Sequence, residues 1–171
     1  ERARPALPSA RRVAVALDSG AVARFEGEPP AEIARVSTDH RGVVLAALSS
    51  SGRLAVTGRT LAHAGVFDAR GAALGRVALP APAFGLAWSE DGATLAIGLG
   101  DPSVVVVPEG GTGPAQRVRV PGITTGVAFT GDGDLAVASG ASELAIIDVA
   151  RGEVAEVLHV PSSEGLRVEA A

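Results

Sequence analysis

Short apolar runs, separated by polar or glycine-containing turns, recur along the chain. In three places an apolar run is followed by Ser or Thr, a turn that ends in glycine, and a second apolar run. Runs of this length, bounded by turn residues, are typical of β-strands, so each segment predicts a β-hairpin. The turn glycines are 40 and 41 residues apart, at Gly52, Gly92 and Gly133. The three segments are 45–56, 85–97 and 126–137.

A second feature repeats with nearly the same spacing. A later run ends in an acidic residue at Glu26, Asp68, Glu109 and Asp148, at intervals of 42, 41 and 39 residues. Two independent markers with one period indicate a repeated structural unit. We therefore divide a single domain, 1–171, into repeats at about 1–40, 41–81, 82–122 and 123–161, with a terminal strand in 162–171.

Each repeat is predicted to hold four strands, labelled a to d in chain order. In the first repeat, strand a would have to lie in 4–8, where two prolines make strand pairing poor. The terminal strand, 166–170, either begins a fifth repeat or takes the place of that weak strand. The predicted strands are 12–17, 21–26 and 32–37 in the first repeat, 44–49, 53–58, 63–68 and 74–79 in the second, 84–89, 94–99, 103–108 and 116–120 in the third, and 125–130, 134–139, 143–148 and 153–160 in the fourth.

Motifs at these positions resemble the repeats of WD40-type β-propellers. The turn at 89–92, Ser-Glu-Asp-Gly, is similar to the family's Ser-Pro-Asp-Gly turn between strands a and b. The segment 139–148 resembles its hairpin between strands b and c, and His40 stands where the family has Gly-His before strand a. The end of the same hairpin, Ile-Ile-Asp, is also similar to the related YVTN-like surface-layer propellers. The resemblance covers about 11–170, although the chain has no Trp-Asp dipeptide.

The resemblance implies an all-β fold of four-stranded antiparallel blades stacked around an axis, with about four blades in this chain. Rings of the family usually have seven blades and the chain lacks an initiator Met, so we expect part of a larger ring. The remaining blades or a second chain would complete it. The resemblance also implies structural roles for His40 before strand a, for Trp88 between blades, and for Asp68 and Asp148 at the ends of c strands.

The composition suits such blades. Hydrophobic residues make up 47% of the 171 residues, but aromatic residues make up only 3%. Strands near the axis of a propeller are crowded and buried on both faces, which favours Ala, Val, Leu, Ile and Gly. The same composition leaves little room for a large pocket lined with aromatic side chains.

Charge and cysteine content exclude several classes of function. The net charge is −4, and all 15 basic residues are Arg that are interspersed with acidic residues and form no block, which argues against a nucleic-acid partner. The absence of Cys excludes disulfides, zinc–thiolate clusters and thiol nucleophiles. No apolar run approaches the ~20 residues that span a bilayer, so we expect no membrane partner. We also expect a cytoplasmic protein.

Residues that could carry catalysis form no recognisable motif. His40, His63 and His159 fall at different positions of the repeat, and nothing in their spacing brings them to one metal ion. The glycine-rich segment 110–113 is followed by no predicted helix, so we expect an exposed loop and no phosphate site. We therefore expect no cofactor and no enzyme activity. The alternative is a propeller-type hydrolase or lactonase with a site at the channel mouth.

One face of the repeats remains for partner binding. In propellers, the d–a and b–c loops lie on the same face, near the central channel. Aromatic residues and Arg are favoured at interface hot spots, so Phe84 with Arg41 and Arg59 is the predicted anchor. We expect a non-catalytic scaffold that mediates protein–protein interaction within a larger, bacterial protein or assembly. The candidate contacts are Arg41, Arg59, Phe84, Asp101, Thr124 and Glu143.

Overall fold

A computed structural model describes residues 12–17, 19, 21–37, 44–58, 60, 62–140 and 142–160. Almost every element in this part of the chain is a β-strand, and the strands lie within one residue, at each end, of their predicted bounds. The strands are β1 (Arg12–Ala16), β2 (Val22–Glu26), β3 (Ala31–Val36), β4 (Val44–Leu48), β5 (Leu54–Gly58), β6 (His63–Phe67), β7 (Ala73–Ala78), β8 (Ala83–Trp88), β9 (Leu95–Leu99), β10 (Ser103–Val107), β11 (Gln116–Arg119), β12 (Thr124–Phe129), β13 (Leu135–Ser139), β14 (Glu143–Asp148) and β15 (Glu153–His159), with a helical turn α1 (Pro108–Gly111).

The strands form four antiparallel sheets in which each strand pairs with the next one along the chain. We call them blade 1 (β1–β3), blade 2 (β4–β7), blade 3 (β8–β11) and blade 4 (β12–β15). The predicted fold class, all-β with about four propeller blades, is confirmed. Blades 2 to 4 have four strands, and blade 1 has three in the described part of the chain. The predicted strands at 4–8 and 166–170 lie outside the described residues.

Two ends of the strands can be distinguished. The connections between the second and third strands of a four-stranded blade, and those from its last strand to the next blade, lie at one end, which we call the upper face. The other connections lie at the lower face. In blades 2 to 4 the first lower turn ends in a glycine with positive φ, whose N–H donates to a carbonyl three residues earlier at 2.8–3.0 Å. The pairs are Gly52 with Ser49, Gly92 with Ser89, and Gly133 with Thr130.

Neighbouring blades pack through apolar side chains on both faces of their sheets. Leu95 and Ile97 of β9 belong to the core cluster shared with blade 2, whereas Ala96 between them belongs to the cluster shared with blade 4. All three are fully buried. Successive strand residues point to opposite faces, so a strand between two blades must be apolar at every position. This arrangement accounts for the hydrophobic composition of the inner strands.

The glycine-rich connection after β10 differs from its prediction. Gly110 and Gly111 are buried, so the expected exposed loop is wrong at these two positions. A Cβ on Gly110 would overlap the Arg53 guanidinium, and one on Gly111 would lie 2.8 Å from Trp88 Cη2. These glycines therefore let the lower connection of blade 3 pack closely against side chains of blades 2 and 3.

Candidate partner-binding surface

The upper face is held by backbone hydrogen bonds between its connections. The Gly100 N–H donates to the Pro82 carbonyl at 2.7 Å, and the Gly140 N–H donates to the Ile123 carbonyl at 2.9 Å. In each of these two blades, the hydrogen bond joins the turn that follows the second strand to the residue that precedes the first strand. The loops of blades 3 and 4 are thus fixed in the same way, which gives side chains on this face defined positions.

Two large apolar side chains are exposed at equivalent ends of neighbouring blades. Phe84, the second residue of β8, is 39% exposed, and Ile123, which precedes β12, is 53% exposed. The Phe84 ring lies over Gly100, where an added Cβ would be 2.6 Å from its Cε2 atom. Sequence reasoning selected Phe84 but missed Ile123. The available signal was an apolar residue in a connection between blades, directly before a first strand.

Asp101, predicted to contact a partner, is bonded within its own blade. Its carboxylate accepts hydrogen bonds from the Ser103 hydroxyl and from Arg117 Nη2, the latter at 2.5 Å. Arg117 Nε also donates to Ser103 Oγ at 2.9 Å. Ser103 is fully buried. This Asp–Ser–Arg triad ties the upper turn of blade 3 to its outermost strand, β11, and leaves the Asp101 charge compensated.

The remaining predicted contacts differ in their accessibility. Glu143 Oε1 lies 3.8 Å from His159 Nδ1 at the upper edge of blade 4, and its side chain is partly exposed. Thr124 is fully buried, because it faces blade 3, where its hydroxyl donates to the Ser103 carbonyl at 3.4 Å. Its expected place on the accessible surface is therefore wrong. The predicted anchors Arg41 and Arg59 lie outside the described residues.

Three of the residues expected to have structural roles are described, and each lies at a junction or turn. The Trp88 indole N–H donates to the Ala47 carbonyl of blade 2 at 3.1 Å, across the boundary between blades. Asp68 Oδ1 accepts from the N–H groups of Arg70 and Ala72, both at 2.8 Å. These backbone hydrogen bonds, above all that from Ala72, lower the pKa of Asp68.

Asp148 has the same place in blade 4 as Asp68 in blade 2. Its Oδ1 atom accepts from the Arg151 N–H at 2.9 Å, and Oδ2 lies 3.4 Å from Arg151 Nε. The two acids close the lower turns that follow the third strands. His40 lies outside the described residues.

The lower face carries a cleft of about 560 Å³ between blades 3 and 4. Glu90, Asp91 and Asp132 line it together with Phe129 and Val149, and no basic side chain is among its lining residues. The Asp91 carboxylate accepts from the Ser89 hydroxyl at 2.6 Å, and this bond is the main cause of its lowered pKa. The lower face therefore differs from the upper face in presenting carboxylates around a recess.

The described part of the chain contains neither a cluster of potential metal ligands nor a membrane-spanning helix. No group of three His, Asp or Glu side chains there could hold a metal ion. No helix there is long and apolar enough to cross a membrane.

Comparison with known proteins identifies similar structures but no family. No family model matches the sequence, and no curated protein matches it. Hydrazine synthase of Kuenenia stuttgartiensis superposes with a TM-score of 0.65 and 25% identity, over 75% of this chain and 38% of that one. Sqt1 of Saccharomyces cerevisiae superposes with a TM-score of 0.69 and 12% identity, over 89% of this chain and 46% of that one. The chain thus spans less than half the length of either neighbour, and its fold is that of a β-propeller segment.

Proposed function

We propose that the chain is a non-catalytic, WD40-type β-propeller scaffold of the cytoplasm that binds a protein partner through its upper face. The observation that carries this proposal is the exposure of Phe84 and Ile123 on neighbouring blades. Single exposed apolar residues are common on protein surfaces, but two large ones at equivalent ends of adjacent blades are a feature that protein partners can cover.

The surroundings of the two side chains support a binding role. Each of the two blades also carries an ion pair that involves its upper turn, Asp101–Arg117 in blade 3 and Glu143–His159 in blade 4. An apolar centre within a polar rim is the usual anatomy of a protein interface. Ordered loops also reduce the entropy lost on binding, because their conformation is fixed before the partner arrives.

The proposal is tested with a phage-displayed peptide library selected on the immobilised wild-type chain. Selected peptides are then measured against Phe84→Ala/Ile123→Ala and against a lower-face control, Glu90→Gln/Asp132→Asn. Truncation of an aromatic hot spot costs about 2 kcal/mol, which corresponds to a loss of about 30-fold in affinity. We expect that loss for the upper-face variant and unchanged affinity for the control.

Thermal unfolding of both variants serves as the check on folding. The four substituted side chains are exposed, so unfolding temperatures should stay close to that of the wild type. Peptides that bind the upper-face variant as tightly as the wild-type chain would refute the assignment. Loss of affinity only in the lower-face control would place the binding site in the cleft between blades 3 and 4 instead.

A further inference from the structure

The lower turns of blades 3 and 4 do not touch as those of blades 2 and 3 do. A Cβ added to Gly92 would lie 3.2–3.3 Å from side-chain atoms of all three serines at 49–51 in blade 2. A Cβ added to Gly133, which has the same place in blade 4, would meet nothing within 4 Å. Gly92 is accordingly buried and Gly133 is exposed. The cleft of about 560 Å³ thus opens between two turns whose counterparts are in contact at the preceding junction.

At the two preceding junctions, an arginine reaches across to the next blade from one matched position. Strands β1, β5 and β9 have the same place in blades 1, 2 and 3, as their pairing shows: Val13 with Phe25, Leu54 with Phe67, and Leu95 with Val107. The position directly before them holds Arg12, Arg53 and Thr94 in turn. Arg12 Nη1 donates to the Ser50 carbonyl in the lower turn of blade 2 at 2.7 Å. The Arg53 guanidinium lies against Gly110 in the lower connection of blade 3.

A second arginine fills the junction between blades 1 and 2. Arg24 is 2% exposed, its guanidinium donates to the Ala69 carbonyl, and its Nη2 atom would lie 3.2 Å from a Cβ added to Gly52. Ala69 has the place of Val149, directly after the acid that closes the same turn, and Gly52 has the place of Gly133. Both Val149 and Gly133 line the cleft. The space that corresponds to the cleft in the first junction therefore holds an arginine guanidinium.

Blade 3 supplies no arginine to the cleft but surrounds it with negative charge. Thr94, which lines the cleft, is a short residue in the place of Arg12 and Arg53. By the register of the third strands, Val106 has the place of Arg24. The matched turn of blade 2, 49–52, is uncharged. The turns of blades 3 and 4 instead carry three carboxylates around the cleft, those of Glu90, Asp91 and Asp132.

We propose that the cleft between blades 3 and 4 binds an arginine side chain of a protein partner. The matched spaces hold arginines of this chain, and here the carboxylates stand ready without one. Phe129 and Val149 supply an apolar wall. A planar guanidinium stacks on an aromatic ring while it donates to carboxylates, and the alkyl stem of arginine packs on apolar surface. This site is separate from the apolar pair of the upper face, so either can fail while the other holds.

The experiment titrates the whole isotope-labelled chain with a blocked Gly-Arg-Gly peptide and follows the amide signals by NMR. One partly exposed ion-paired side chain gives an affinity in about the millimolar range, which is too weak to survive phage selection on the upper face. We expect saturable shifts of the signals of Glu90, Gly131 and Gly133. The same peptide with citrulline, which has nearly the shape of arginine but no charge, should cause none. A lysine peptide should bind more weakly than the arginine peptide.

Three variants locate the contact. Glu90→Gln/Asp132→Asn should weaken binding of the arginine peptide about fivefold. The matched control, Glu153→Gln/Glu156→Gln on exposed positions of β15, removes the same charge away from the cleft and should leave binding unchanged. Thr94→Arg gives blade 3 the arginine that blades 1 and 2 carry, so it should fill the cleft and abolish the shifts. Thermal unfolding establishes that each variant is folded.

Several results would overturn the proposal. The absence of saturable shifts would mean that the cleft binds no arginine, and equal shifts from the citrulline peptide would mean that it does not recognise the charge. Equal binding of the lysine peptide would remove the role of the guanidinium. Equal weakening by both double variants would reduce the effect to the net charge of the chain. Undiminished binding to folded Thr94→Arg would place the arginine outside the cleft.

Discussion

A side chain introduced at Gly98 tests how closely blades 3 and 4 approach each other. Gly98 lies in β9, and blade 4 packs directly on it. A Cβ built there would overlap Thr124 Cγ2 and would lie 3.0 Å from Val127 Cγ1. Both neighbours are buried, so neither can move into solvent. The Gly98→Ala substitution therefore adds one methyl group to a space that is already filled.

Two opposing effects set the size of the change in stability. Overpacking a core by a methyl group costs about 1–3 kcal/mol. Alanine also restricts the unfolded chain, which returns about 0.4–1 kcal/mol where its backbone conformation is allowed. The φ of Gly98 is outside the left-handed region, so alanine fits the backbone there. We expect a net loss of about 1–2 kcal/mol, or a melting temperature lower by about 2–8 °C for a chain of this size.

Urea unfolding of four variants separates the steric effect from other causes. Thr124→Ser removes the overlapping methyl group but keeps the hydroxyl that donates to the Ser103 carbonyl. The double variant Gly98→Ala/Thr124→Ser should recover about 1 kcal/mol relative to the sum of the single changes. Gly131→Ala is the control, because nothing lies within 4 Å of its added Cβ. Equal stability of Gly98→Ala and the wild type, or additive single effects, would refute the close approach.

Two further substitutions test the buried cation and a turn carboxylate. Arg24 is 2% exposed, donates to the Ala69 carbonyl, and has an unpaired Nε. Arg24→Ala should lower the free energy of unfolding, measured in urea, by about 2–4 kcal/mol because it leaves a cavity. Arg24→Met keeps most of the volume, so its free energy of unfolding should stay within about 1 kcal/mol of the wild-type value. Equal losses for the two variants would contradict this account. The hydrogen bond from the Ser89 hydroxyl lowers the pKa of Asp91 in the folded chain below its ordinary value of 3.8. The ionised carboxylate therefore stabilises the fold fully above pH 3.8, and this stabilisation is lost as the pH falls through the lower pKa of the folded state. At neutral pH, Asp91→Asn should therefore unfold at a lower urea concentration than the wild type, and the two midpoints should converge well below pH 3.8. A difference between the midpoints that does not narrow at low pH would contradict the role of the charge.

The strands could be predicted from the sequence because their signals are local. A glycine with positive φ closes the first turn of three blades, and few other residues tolerate that conformation. Gly52, Gly92 and Gly133 therefore mark the chain at the period of the fold. Acids such as Asp68 and Asp148 mark the next lower turn, because their carboxylates accept backbone N–H groups a few residues further on. Each signal is contained within five residues.

The contacts between blades could not be predicted in the same way. Gly110 and Gly111 have the composition of an exposed loop, and only the positions of Arg53 and Trp88 explain why they are buried. The place of Thr124 beside a connection predicts a surface position, but the packing of β12 on blade 3 decides its orientation. Such contacts join residues that are tens of positions apart, and the repeat period does not encode them.

The polar residues of the upper face limit how a partner can bind there. Asp101 is compensated by Arg117 and Ser103, and Glu143 lies beside His159. A partner that used either carboxylate would have to displace or share an existing interaction, which reduces the net gain from a new ion pair. Covering the exposed parts of Phe84 and Ile123 removes apolar surface from water, which favours binding. Affinity at this face should therefore come mainly from the apolar pair, while the charged pairs of the same two blades select which partners can approach.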